Sequence, residues 1–328
     1  MNTRRRFILG SALALSQGVL PTLARAQALG KPARLLIGYP PGGSIDAIGR
    51  TLAEKMRGSY APTVVVENRP GNLGAAVVSG LLASPPDGSA FMIAPHSVTT
   101  LWPHVYKNLP FDYQRDLLPI STVNLSEFAF VVRASVPATN LAEYLDWYKT
   151  NPKTNGLYGV TGTFGGIGHL LGMLFGLGAG IELTPISYKG TVQGITDLLG
   201  GQTLSWLGPL ADIEPFYRAG KVRVLATTGP KRSRFVPQVP SFTEAGYPAV
   251  LAQERFGISA RAGSSPAVVQ ALNKAVRDAV ETAEYKAMCE RQTSEPSSST
   301  PEQFEAIIRR EHERWGGVIK AVRFSPQE

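Results

Sequence analysis

The chain has 328 residues, 33 basic against 25 acidic side chains, a formal charge of +8 and a single cysteine, Cys289. One cysteine excludes an internal disulfide and a thiolate metal cluster. Past the first 26 residues there is no basic run of the kind that marks a nucleic-acid surface, and no apolar run long enough to span a bilayer.

The N-terminus reads as an export signal. Arg4, Arg5 and Arg6 supply a charged start, residues 7–20 an apolar stretch too short to span a bilayer comfortably, and Ala24-Arg25-Ala26 a small-x-small cleavage site. Paired arginines before Phe-Ile-Leu fit a twin-arginine signal; three in a row also serve the general secretory route. Cleavage after residue 26 removes four arginines and no acid, which leaves +4. Roughly 300 residues remain, too many for one simple core, so two lobes are expected.

Strands are expected at 34–38, 63–67 and 91–94, with amphipathic helices at 45–57 and 75–83 between them. That alternation predicts a mostly parallel sheet with helices on its faces. Two apolar runs, 118–123 and 128–133, mark a crossing into a second alternating block. It comprises strands near 157–160, 182–186, 203–207 and 222–227, with helices starting at His169, Thr191 and Ile213. Residues 255–259 read as the return crossing, and 266–283 and 301–322 as closing helices. The expected architecture is therefore α/β with residues 27–125 and 256–328 in one lobe and 126–255 inserted as the other.

Gly-rich corners sit where strands run into helices, the edge at which open α/β sheets bind ligands. In "YPPGGSID" the prolines stop the strand, Gly42 and Gly43 allow positive φ and close approach, and Ser44 is expected to cap the helix. Free amides of a first helical turn, with the helix dipole, make a socket for a carboxylate or phosphate. Asp46 either orders this loop through backbone hydrogen bonds or reads a donor on the ligand. The second block repeats the device at Thr161, Gly162, Thr163, Gly165, Gly166 and Gly168, at Lys189, Gly190 and Thr191, and at Gly208 and Asp212. Each of these is equally an ordinary strand-to-helix loop.

Phosphate-loop, nucleophile-elbow and His-Glu-x-x-His signatures are missing. His96, His104, His169 and His312 lack metal-ligand spacing, and no nucleophile–base arrangement is recognisable. No catalytic residue, metal or cofactor is expected.

"YPPGGSIDAIGRTLAEKM", "VVVENRPG", "PDGSAFMIA", "LLPISTV", "ISYKGTVQGITDLLGGQ", "AGKVRVLATTGPKRS" and "VPQVPSFTEAGYP" occur in this order. Together they resemble the extracytoplasmic solute receptors of tripartite tricarboxylate transporters, the Bug-type receptors. The resemblance implies a periplasmic-binding-protein type II fold, two α/β lobes closing on a small carboxylated solute in the periplasm. It places one carboxylate on Gly42, Gly43 and Ser44, with Asp46 in support and Tyr39 at the mouth. Thr161, Thr163, Phe164, Gly165, Gly166, Lys189, Gly190 and Thr191 would close over the other end, with Asp212 as a further cleft residue. Phe164 and Ile167 replace the small residues usual in the second loop. With Tyr39 and Trp206, Phe164 would favour an aromatic or longer acid; Trp206 reads equally well as strand core. The implied partners are membrane transporter subunits, with a signalling kinase as the alternative and an exported hydrolase as a remote one, and the protein is expected to act as a monomer.

Overall fold

A computed structural model describes residues 29–71 and 75–327; the expected export signal lies outside the described residues. Its strands are β1 (Ala33–Ile37), β2 (Val64–Asn68), β3 (Ala90–Pro95), β4 (Leu117–Thr122), β5 (Asn124–Arg133) and β6 (Leu157–Thr161). They continue with β7 (Thr184–Tyr188), β8 (Ser205–Pro209), β9 (Val222–Thr227), β10 (Gln253–Glu254), β11 (Phe256–Arg261) and β12 (Glu295–Pro296).

These form two sheets. The first has the order β2-β1-β3-β11-β4, with β1 parallel to β2 and β3, and β11 antiparallel to both its neighbours. In the second, β10-β5-β8-β6-β7, the long β5 also pairs with β9 and β12. Successive residues of a strand face opposite ways, and both faces are covered. Leu35 and Ile37 pack with Ile48, Leu52, Leu272 and Tyr285 on one side of the first sheet, whereas Leu36 packs with Val77 and Leu81 on the other. In the second sheet Phe128, Phe130 and Val132 join the Leu170–Phe175 side, and Ala129 and Val131 the Ile195–Ile213 side.

Two of the passages between the sheets run through a single residue. Val123 separates β4 from β5, and Arg255 separates β10 from β11. The two crossings hold each other: Val123 N–H donates to Phe256 O (2.9 Å), and Phe256 N–H to Asn124 Oδ1 (2.9 Å). Ser297 N–H and Tyr285 Oη–H both donate to Val123 O. The helix Pro301–Ala321 then runs from one sheet to the other. Its Phe304 packs on Gly257 of β11, while Trp315 and Ile319 lie in the core beneath Phe128 and Phe130.

Most expected elements lie within about two residues of their observed bounds, the usual scatter at frayed ends. Among the described residues six helices are additional, four of them only four residues long and two longer. Leu141–Thr150 is capped by Asn140, which accepts from Glu143 N–H, and buries Leu141, Tyr144 and Tyr148 on one face. The expected 266–283 helix ends at Val280, and Thr282 caps a new one, Ala283–Arg291.

Trp206 is fully buried in β8, and its ring lies against the backbone of Gly194 and Gly159. It is strand core, not a cavity wall. A methyl at position 194 would land on that ring, and overpacking of this kind costs about 1–3 kcal/mol. Gly194→Ala should therefore lower the denaturant midpoint at unchanged m-value, despite the better helix propensity of alanine.

Candidate functional site

Gly42 takes φ +92°, a conformation that glycine supplies without strain. Gly43, expected to do the same, instead has φ −82° and is itself the N-cap of the helix Ser44–Lys55. Ser44 is thus the first helical residue and not its cap, and no side chain caps this helix. The first helical bond runs from Ala47 N–H to Gly43 O. The N–H groups of Ser44, Ile45 and Asp46 have no acceptor among the described residues.

Asp46 is buried, and its carboxylate ties the corner together. Oδ2 accepts from Gly42 N–H (3.0 Å) and Arg50 Nε (2.8 Å), and Oδ1 from Asn68 Nδ2 (2.9 Å). Asn68 also donates to Tyr39 O. Burial alone would push the Asp46 carboxyl up, but the bonds from Arg50, Gly42 and Asn68 outweigh it and hold the group below its ordinary value. Of the two readings of Asp46, loop ordering is the one this geometry carries.

The second corner is built alike. Gly165 has φ +87°, and its N–H donates to His169 Nδ1 at 2.9 Å. Gly166 is the N-cap of the helix Ile167–Ala179, again with no side-chain cap, and the first helical bond is Leu170 N–H to Gly166 O. Thr161 and Thr191 hydroxyls lie 3.0 Å apart, as do those of Thr163 and Tyr106. Gly190 caps the helix Thr191–Gly200 through its backbone alone.

These corners open on one cavity of about 370 Å³ between the sheets. Tyr39, Ser44, Thr161, Thr163, Gly166, Lys189 and Asp212 line it. Gly42, Gly43, Asp46, Gly165, Gly190 and Thr191 do not line it; Gly42 and Gly43 are exposed, whereas Asp46 and Gly165 are buried. Phe164 also lies outside it: the ring is 46% exposed and meets His169 edge-on. The apolar walls come from elsewhere, among them Trp102, Phe128, Leu207 and Phe256.

The floor comes from the crossings, which the sequence reading located but did not assign to the site. Asn124, Ser126, Glu127 and Phe128 of β5 line the cavity, as do Glu254 and Phe256 beside Arg255. Two segments that join two lobes must floor the cleft between them, and that was the available signal. Glu254 bridges the sheets: Oε1 meets His96 Nδ1 (2.5 Å), and Oε2 accepts from Ser97 Oγ (3.0 Å). Burial, with the nearby charge of Glu254, pushes the Tyr39 phenol up and keeps it a donor. Burial also raises the carboxyls of Glu127 and Asp212, against hydrogen bonds from Ser233 and Gln253 to the first and from Thr191 to the second. Among the described residues no group of three or more His, Cys, Asp or Glu is placed to hold a metal.

His169 must be unprotonated at Nδ1 to accept from Gly165, and burial lowers its pKa from 6.5. As pH falls below about 6.5, the unfolded chain takes up a proton that the folded one resists, so stability drops. His169→Gln keeps an acceptor in the first helical turn but does not titrate. Melting curves between pH 7.5 and 5 should show a smaller loss for this variant than for the wild type.

A family model described as "Tripartite tricarboxylate transporter family receptor" matches residues 48–324. Protein BugT of Bordetella pertussis is 28% identical over 291 residues, 88% of this chain and 89% of that protein. R. palustris Rpa4515, solved with adipate, superposes with a TM-score of 0.81 at 26% identity, over 90% of this chain and 99% of that one. The periplasmic binding protein BugD superposes with a TM-score of 0.78 at 25% identity, with the same coverage of each chain.

Proposed function

The chain belongs to the family of tripartite tricarboxylate transporter receptors, and on that premise we propose that it captures a small organic carboxylate for a membrane transporter. The observation that carries this reading is the meeting of uncapped helix starts from both sheets, Ser44–Ile45 and Ile167–Gly168, on a single cavity. Unpartnered amides at a helix N-terminus, reinforced by the dipole, are suited to negative charge. The Rpa4515 structure with adipate supports the same ligand class. Family and neighbours are receptors and binding proteins rather than catalysts, which supports binding without turnover.

In this reading residues 27–125 with 256–328 form one lobe, 126–255 the other, and the single-residue crossings are the hinge. A ligand that bridges both amide sets binds the closed arrangement better than the open one, and that difference drives closure. Residues 1–26 direct export to the periplasm, and the closed monomer is what the transporter recognises.

A panel of carboxylates and their amides in thermal-shift assays tests the reading. A bound acid at 100 times its Kd stabilises the protein by about 2.7 kcal/mol, and its amide should not. If only uncharged compounds shift the melting point, the proposal fails. The Ser44→Pro variant probes the amide directly, because proline fits the first helical position but lacks the N–H. It should weaken acid binding about tenfold, the worth of roughly one charge-assisted hydrogen bond, and leave the unliganded melting point nearly unchanged.

A further inference from the structure

A chain of hydroxyls ties one cavity carboxyl to the second corner. Thr161 and Asp212 both line the cavity, and Thr191 connects them. Thr191 Oγ1 lies 3.0 Å from Thr161 Oγ1, and its hydroxyl hydrogen-bonds the Asp212 carboxyl. A threonine hydroxyl has one proton to donate and two lone pairs that accept. The direction of the chain is therefore set at its Asp212 end. While Asp212 is a carboxylate it takes the Thr191 proton, Thr191 takes that of Thr161, and Thr161 shows the cavity lone pairs alone. With a proton on Asp212 the chain runs the other way, and Thr161 turns its O–H toward the cavity.

The surroundings favour the second state once the negative end of a ligand arrives. Burial raises the Asp212 carboxyl, against the hydrogen bond from Thr191. On the same helix, Leu210–Arg218, Glu214 is paired with Arg218. Of the strands packed against that helix, β5 brings Glu127 and, at its other end, Arg133, whereas β8 brings no ionisable group. β9 brings Arg223, which donates to Val136 O and Ala138 O. Glu254 on β10, Tyr39 after β1 and the exposed Lys189 share the cavity lining, and His169 beneath the corner already accepts from Gly165. A ligand carboxylate that joins Glu127, Asp212 and Glu254 in a partly desolvated cleft makes one more ionised group costly.

Resting on the carboxylate reading above, we propose that Asp212 couples this site to pH: a dicarboxylate binds together with one proton from water, held on Asp212, and Thr161, directed through Thr191, donates to its second carboxylate. The first carboxylate stays on the helix amides and needs no proton. The second charge of the ligand then replaces that of Asp212 instead of adding to it.

Isothermal titration of the exported protein in two buffers of different ionisation enthalpy counts the protons taken up. The probes are succinate, glutarate and adipate, with butyrate, pentanoate and hexanoate as monocarboxylates of the same lengths. At pH 7.5, where the diacids are fully ionised, the tightest diacid should take up about half a proton or more and its monocarboxylate none. Its affinity should fall by up to about tenfold per pH unit between pH 6.5 and 8.5, because the proton is a co-ligand. Asp212→Asn does not titrate and should abolish both the uptake and the slope. Thr191→Val keeps Asp212 but cuts the chain. It should weaken the diacid about tenfold more than the monocarboxylate, the worth of roughly one charge-assisted hydrogen bond. Uptake that persists in Asp212→Asn overturns the proposal, and so does diacid binding without a proton, on Lys189 for instance. Binding of monocarboxylates alone, or a Thr191→Val variant that weakens both classes alike, overturns it too. Silence toward every carboxylate sinks the receptor reading beneath it.

Discussion

A helix start without a side-chain cap leaves several amides unsatisfied, and this protein places such starts from both sheets around one cavity. The arrangement persists because the loops before them are satisfied by other means. Asp46 takes the Gly42 amide from one turn into its helix, and His169 takes the Gly165 amide from the matching position in the other. In each corner the helix's own side chain secures the loop and leaves the first-turn amides free. One anchor is a carboxylate held charged by Arg50 and the other an imidazole held neutral by burial. The two corners therefore respond to acid differently.

Local pattern was enough for the corners. Prolines, glycines and a strand-to-helix change of period announce "YPPGGSID" without knowledge of the rest of the chain. Which member of Gly43-Ser44 caps the helix was not legible, because it turns on one residue's backbone angles. Trp206 and Phe164 show the limit from the other side. The tryptophan finds its place between Gly159 and Gly194, from two other elements, and the phenylalanine points out of the loop toward His169. Glu127 and Glu254 gain their importance only when β5 and β10 pair, more than a hundred residues apart. No local spacing carries that information.

The helix Pro301–Ala321 complicates a picture of two bodies joined only by crossings. It touches the first sheet through Phe304 and donates Trp315 and Ile319 to the core of the second. Leu101 and Val105, which follow β3, join that same core. Motion of one sheet relative to the other would have to slide or bend these packed contacts, so the proposed closure would combine shear near the helix with hinge bending at Val123 and Arg255.

Beyond that helix the chain turns back to the second corner. Phe324 lies against Gly165 and edge-on to His169, and Gln327 exchanges backbone hydrogen bonds with Val105 and Lys107 on either side of Tyr106. Tyr106 in turn reaches Thr163. Anything fused after Gln327, whether an affinity tag, a fluorophore or a surface tether, would be mounted close to the second corner and its Thr163–Gly166 loop. Handles for biosensors or purification belong elsewhere on this scaffold, unless the aim is for the handle itself to feel the loop move.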